Sequence, residues 1–172
     1  DDARPAGKAA KGYKSSNFHG IGTSYPAVQD ILKYVVDKGK SQVKDRSRVG
    51  ENFYMRGVFN SVLVAEAIRT AQGKFGNRVI NGEEMRWGME NLNLTSARLA
   101  EIGLPGFANP VKVSCDDHAN NGPIFIQQWN GTSWERVSGW INSMDRVRPM
   151  LEKAAADYKA KNNVPNRTIP CS

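Results

Sequence analysis

Only two cysteines and two histidines occur among the 172 residues of this chain. No apolar run approaches the roughly 18 residues that a membrane-crossing helix needs. With His19 and His118 alone, any Ser-His-Asp or Cys-His site would have to use one of those two imidazoles. Dinucleotide-binding Gly-x-Gly-x-x-Gly, phosphate-binding Gly-x-x-x-x-Gly-Lys-Ser/Thr and Gly-x-Ser-x-Gly are all absent. So are internal repeats and low-complexity tracts. The first residues, Asp1 to Gly7, lack the charged region and apolar stretch of a signal peptide. A processed secreted chain would lack them too, so the compartment stays open.

What is present is ordinary: 40% hydrophobic and 24% charged residues, enough for one domain of usual size. The net charge of +7 raises the question of a polyanionic partner. Much of the excess lies in Lys33–Arg48, where six Lys/Arg face Asp37 and Asp45. Aromatic residues are not interleaved there as they are in single-strand binders. No zinc-finger spacing occurs. A solvated basic surface is the favoured reading and a nucleic-acid or anionic-surface binder the alternative.

Hydrophobic spacing predicts a mixed α/β chain. Tyr13–Phe18 reads as a short strand followed by a turn at His19–Gly22. Pro26 opens a helix carrying Val28, Ile31, Leu32 and Val35, which Gly39 stops. Lys40–Gly50 is a polar loop. Residues 52–72 form the strongest helix, apolar around most of its circumference and therefore expected to be buried on several sides, with Gly73 and Gly76 ending it. Asn81-Gly-Glu-Glu84 is a capping box opening a helix through about Asn91. Thr95 caps a short helix that Gly103 stops. Pro110–Ser114 reads as a strand. Pro123–Trp129 and Thr132–Val137 form a hairpin around Asn130-Gly131. A last helix begins at Ser143, with Pro149 either kinking its first turns or marking a later start near Arg148.

The two cysteines, Cys115 and Cys171, favour one disulfide that would close a loop of over 50 residues, stabilising by roughly 4 kcal/mol on the chain-entropy model. The competing reading is two buried, reduced thiols. Cys115-Asp116-Asp117-His118 is the nearest approach to a metal cluster, although the spacing matches no familiar ligand pattern and a disulfide would remove the thiolate. A small metal-dependent hydrolase using Asp116, Asp117 and His118 is thus a second alternative. Phe53-Tyr54-Met55-Arg56 stands at the start of the strong helix, where amide groups, an aromatic pair and one arginine would suit a small carboxylate. The plain reading there is core packing plus a surface ion pair. Asn93-Leu-Thr95, Asn130-Gly-Thr132 and Asn166-Arg-Thr168 match the glycosylation sequon; local structure explains the first two, and none is given functional weight.

Several segments in fixed order carry a resemblance: Gly12-Tyr-Lys, Ile31-Leu-Lys-Tyr-Val35, Arg56-Gly-Val58, Ala65-Glu-Ala-Ile-Arg-Thr-Ala71, Met85-Arg-Trp-Gly-Met-Glu-Asn91-Leu, Pro110-Val-Lys-Val-Ser-Cys-Asp-Asp-His118, Gln127-Gln-Trp129 and the terminal cysteine. Nearly the whole chain resembles the C-terminal portion of periplasmic substrate-binding proteins of the branched-chain amino acid (Leu/Ile/Val-binding) ABC transporter family. The resemblance implies an α/β chain that is part of a two-lobe type I periplasmic-binding-protein fold. It implies that residues 1–18 end one lobe, 19–109 supply helices to the other, and 110–172 return to the first with the hairpin and terminal helix. The crossings would fall near Phe18–Gly20 and Asn109–Val113. The bridge between Cys115 and Cys171 would pin the tail to its own lobe, with export explaining its oxidation. The expected role is non-enzymatic and needs no cofactor or metal: capture of a small amino acid or related carboxylate and delivery to a membrane permease. The remaining partner would be an N-terminal half supplying most of the ligand grip. This chain would contribute Phe53, Tyr54, Arg56 and His19.

Overall fold

The computed structural model describes residues 3–119, 122–142, 144–165 and 171. Helix α1 (Ala3–Ala6) and strand β1 (Lys14–Asn17) lead into α2 (Pro26–Ile31), which continues as a wider π turn over Leu32–Val36. Then come α3 (Asn52–Phe75), α4 (Gly82–Glu90), β2 (Asn93–Leu94), α5 (Ser96–Glu101), β3 (Val111–Lys112), β4 (Phe125–Trp129), β5 (Trp134–Arg136) and α6 (Met144–Asn162).

The caps follow the local sequence. Asn81 Oδ1 accepts from the Glu84 amide while the Glu84 carboxylate accepts from the Asn81 amide, so two otherwise unpaired donors of α4 are satisfied together. Thr95 Oγ1 accepts from the amide of Arg98 and starts α5. Gly103, at φ 78°, ends it.

Two expectations need correction. Gly73 lies inside α3, which runs on to Gly76; one glycine costs a helix only about 1 kcal/mol, less than this 24-residue helix gains by continuing. The hairpin connection has four residues, because Trp129 pairs with Trp134. Asn130 Oδ1 accepts from the Thr132 amide and hydroxyl and from the Ser133 amide, so its side chain builds the turn and widens it. Of the two readings of Pro149, the early helix start is the one found: α6 is helical from Met144 and Pro149 lies inside it, at the cost of a single backbone hydrogen bond.

Both sheets are antiparallel. β1 and β4 pair from Lys14↔Gln128 to Asn17↔Phe125, and β5 extends the sheet on the far side of β4. β2 and β3 form a second, two-stranded ladder. The hydrophobic core is drawn from Val28, Leu32, Val49, Met55, Phe59, Leu94, Leu99, Leu104, Phe107 and Ala108. Helices α3 and α4 cross closely at Gly88, where a Cβ would run into the carbonyl oxygen of Ala67. Glu66 of α3 is fixed in this layer by Arg98, whose Nη2 donates to Oε1 at 2.7 Å.

Helix α3 is buried on one side only, through Met55, Phe59, Glu66, Ala67 and Ala71. The opposite side presents Phe53, Gly57, Ser61, Val64 and Ala65, all exposed and all uncharged. No described residue of α6 is buried, and Val147, Met150, Leu151 and Tyr158 are open to solvent. Exposed solvent-facing helix surfaces are normally charged. These are not.

Candidate functional site

Two segments connect the three-stranded sheet with the helical core, and they run side by side. His19 and Ala108 form an antiparallel bridge, and the Gly20 amide donates to the Phe107 carbonyl at 2.6 Å. The chain leaves the three-stranded sheet just after β1, and the second segment passes this point just before β3 of the two-stranded ladder, ahead of its return to the three-stranded sheet at β4.

His19 is fully buried here. Its ring lies nearly parallel to Phe107, with centroids 5.6 Å apart, and meets Phe18 edge-on. Nδ1 is 2.9 Å from the Gly20 carbonyl oxygen, which can only accept, so Nδ1 carries the proton. Nε2 is then the acceptor for Nε–H of Arg56, at 3.2 Å. The imidazole is therefore neutral. Burial lowers its pKa below the ordinary 6.5, the Gly20 carbonyl opposes that, and the Arg56 charge reinforces it. The Arg56 guanidinium also stacks over Phe18, 4.4 Å from the ring centre.

The structure thus brings His19 and Arg56 together. Tyr54, two residues before Arg56, packs against the core cluster, and burial raises its hydroxyl pKa. Phe53 points outward and is exposed.

Beside this crossing lies a polar contact that sequence reasoning missed. Asn17 Nδ2 donates to Asn52 Oδ1 at 2.8 Å and approaches Gln127 Oε1 at 3.4 Å. Asn17 and Gln127 are buried and tie β1, β4 and the first turn of α3 into one joint. Burial of a polar residue was the missing signal: the alternation of β4 puts Phe125, Gln127 and Trp129 on one face, and only pairing with Asn17 explains a glutamine there.

Two cavities adjoin the joint. The larger, about 590 Å³, is walled by apolar side chains including Phe59, Leu63, Met89 and Ile124. Arg86, Glu90, Asn109 and His118 supply its polar groups. Asn109 Nδ2 is buried there without a hydrogen-bond partner. The smaller, about 270 Å³, lies between Glu51 and Asn52, at the start of α3, and the hairpin residues Trp129, Thr132 and Trp134. Glu51 is held at its edge by Arg4 and by Arg48.

The residues of the alternative readings are engaged elsewhere. Cys115 is bonded to Cys171, Asp117 pairs with Arg148 at 3.1 Å, and His118 faces Glu90 at 3.4 Å. Among the described residues no group of three His, Cys, Asp or Glu side chains could hold a metal ion. In the basic stretch, Arg46 pairs with Asp37. The sequon at Asn166 lies outside the described residues.

No protein-family model matches the chain, and no curated protein matches it. Among solved structures, one described as an ABC transporter permease from the Pseudomonas fluorescens group is 40% identical, with a TM-score of 0.85 over 96% of this chain and 40% of that one. A second, a branched-chain amino acid ABC transporter from Thermus thermophilus with bound valine, is 16% identical, with a TM-score of 0.63 over 85% of this chain and 37% of that one. The chain therefore spans about two-fifths of the length of the structures it resembles. The fold is α/β, part of a type I periplasmic-binding-protein architecture. Both structures are described as components of ABC transporters. Among the described residues no helix is long and apolar enough to cross a membrane.

Proposed function

We propose that this chain is the C-terminal part of the solute-binding component of an ABC importer, working in the periplasm. The observation that carries this reading is the paired crossing at His19 and Ala108, flanked by two cavities, in a chain matched over 96% of its length to a transporter component. A permease crosses a membrane, whereas the paired crossing between sheet and helices, with a cavity on each side, suits a protein that captures a solute by hinge closure. That favours the soluble partner over the membrane component named in the 40% identical relative.

The chain has two units in this reading: residues 1–18 with 110–172, and residues 19–109. A small amino acid or related carboxylate binds between the lobes, and hinge closure follows because the ligand binds the closed state better. No covalent chemistry is involved. Phe53 is open enough to meet a ligand directly, while His19, Arg56 and Tyr54 set the shape of the joint behind it. The uncharged outer face of α3 and the apolar stripe of α6 are seats for the N-terminal half of the same protein. That half supplies the parallel strands against which such helices normally pack. The closed, loaded protein then docks on a membrane permease.

Calorimetric titration of the two-lobe protein with valine, other amino acids and small aromatic acids tests this. Saturable binding of one of them at a single site is expected. Absence of binding across the whole set would overturn the ligand-capture role.

A further inference from the structure

The wall of the larger cavity combines a broad apolar surface with one deeply placed carboxylate. Phe59, Leu63, Met89 and Ile124 supply apolar area, and the volume of about 590 Å³ is in the range of small-molecule sites. Glu90 lines the same cavity, at the last residue of α4, and is only 6% exposed. A carboxylate so placed is costly unless positive groups and hydrogen-bond donors face it. The carbonyl end of α4 adds to the local negative potential instead of offsetting it.

The groups that face Glu90 differ in how firmly they are held. Arg86, four residues earlier on α4, donates from Nη1 to both carboxylate oxygens, at 3.1 and 3.4 Å. Its charge is shared, because Nε donates to Glu83 Oε2 at 3.3 Å. His118 Nε2 lies 3.4 Å from Glu90 Oε1, longer than an ordinary hydrogen bond, and its side chain is 62% exposed. An exposed imidazole at that distance can rotate into water at little cost.

These charges decide which kind of molecule fits. An anion would meet Glu90 and find the Arg86 guanidinium already divided between two carboxylates. An uncharged molecule would fill the apolar space and gain nothing from the carboxylate. A cation with an apolar body uses both. We propose that the larger cavity is a binding site for an apolar primary amine, in which the ammonium group donates to Glu90 in place of His118 and the hydrocarbon body lies against Phe59, Leu63, Met89 and Ile124. The charge-assisted hydrogen bond forms in a low-dielectric setting, where it is stronger than in water. All of these groups belong to this chain, so the inference stands apart from solute capture between two lobes and needs no N-terminal half.

Calorimetric titration of the 172-residue protein with three molecules of one shape is the test. Phenethylamine, hydrocinnamamide and hydrocinnamate carry the same phenylethyl body with a positive, a neutral and a negative end. Phenethylamine should bind at a single site, at least about tenfold more tightly than the other two. Glu90→Gln should lower its affinity about tenfold and leave that of hydrocinnamamide unchanged. Met89→Trp, at a partly exposed position, fills the cavity and should abolish phenethylamine binding. His118→Ala keeps Glu90 in place, so it reads the same site if Glu90→Gln fails to fold, and it should bind the amine as tightly as the parent or more so. The proposal is overturned if phenethylamine does not bind, if hydrocinnamate binds as tightly, if Met89→Trp or a folded Glu90→Gln leaves the amine affinity unchanged, or if His118→Ala abolishes it.

Discussion

Nε of Arg56 donates to Nε2 of His19 across 3.2 Å, and this hydrogen bond requires the imidazole to be uncharged. A cation in α3 is thereby joined to a crossing strand without any carboxylate between them. Protonating His19 would remove the acceptor and place two positive charges in contact inside the core. The joint between sheet and helices is consequently sensitive to pH.

The direction can be worked out. The pKa of His19 is below its ordinary 6.5 in the folded chain, so the unfolded chain takes up this proton first as the pH falls. The stability that His19 contributes is complete above pH 6.5 and is lost progressively as the pH falls below it. Urea denaturation near neutral pH and near about pH 5 should show a loss of stability in the parent chain that is smaller in His19→Gln. An identical loss in both chains would show that His19 does not contribute.

Arg56→Lys should not rescue Arg56→Ala. Lysine keeps the charge but has neither the planar group that stacks on Phe18 nor an Nε–H directed at His19. Each variant should lose about 1–2 kcal/mol in chemical denaturation, from one partly buried hydrogen bond and one cation–π contact.

Gly88→Ala should separate α3 from α4. The new methyl group would meet the Ala67 carbonyl and the Ala71 side chain, neither of which can swing aside. A loss of about 1–3 kcal/mol is expected, the usual result of overpacking. Gly57→Ala, on the open face of the same helix, should stabilise instead, since nothing lies near that position.

Val64→Lys distinguishes an idle surface from a seat for further polypeptide. Val64 is 46% exposed in this chain, so the variant should stay within about 0.5 kcal/mol of the parent. The same substitution should abolish association with the N-terminal half, measured by sedimentation of the mixed polypeptides. Unimpaired association would place that half elsewhere.

Asn81→Ala should cost about 1 kcal/mol and fray the first turn of α4, because both halves of the capping box are lost together. Amide exchange at Glu84 is the direct readout.

Local chemistry was legible from the residues in order. Asn81 with Glu84, Thr95 with Arg98, Pro26 at a helix start and Gly103 at a helix end each act within one turn, so short windows contain the whole interaction. The disulfide was one of two readings that residue counting left open, and the bonded pair is the one observed. Positions that depend on distant partners were not legible. Asn17, Asn52 and Gln127 are unremarkable in sequence, and they become a buried joint only because β1 lands beside β4. His19 was expected at a ligand cleft, but its neighbours Phe107 and Arg56 lie far along the chain and give it a buried, neutral setting.

By itself the sequence determined where several helices begin, at Pro26, Asn81 and Thr95, and which residues are apolar, since capping and composition are near-neighbour properties. The tertiary structure alone decided which apolar faces find a cover. Met55 and Phe59 are sealed by the core, while Val64 on the same helix is left open. The physical reason is that burial is a property of packed surfaces: a residue's own chemistry states a preference for leaving water, and only the arrangement of everything around it determines whether that preference is met.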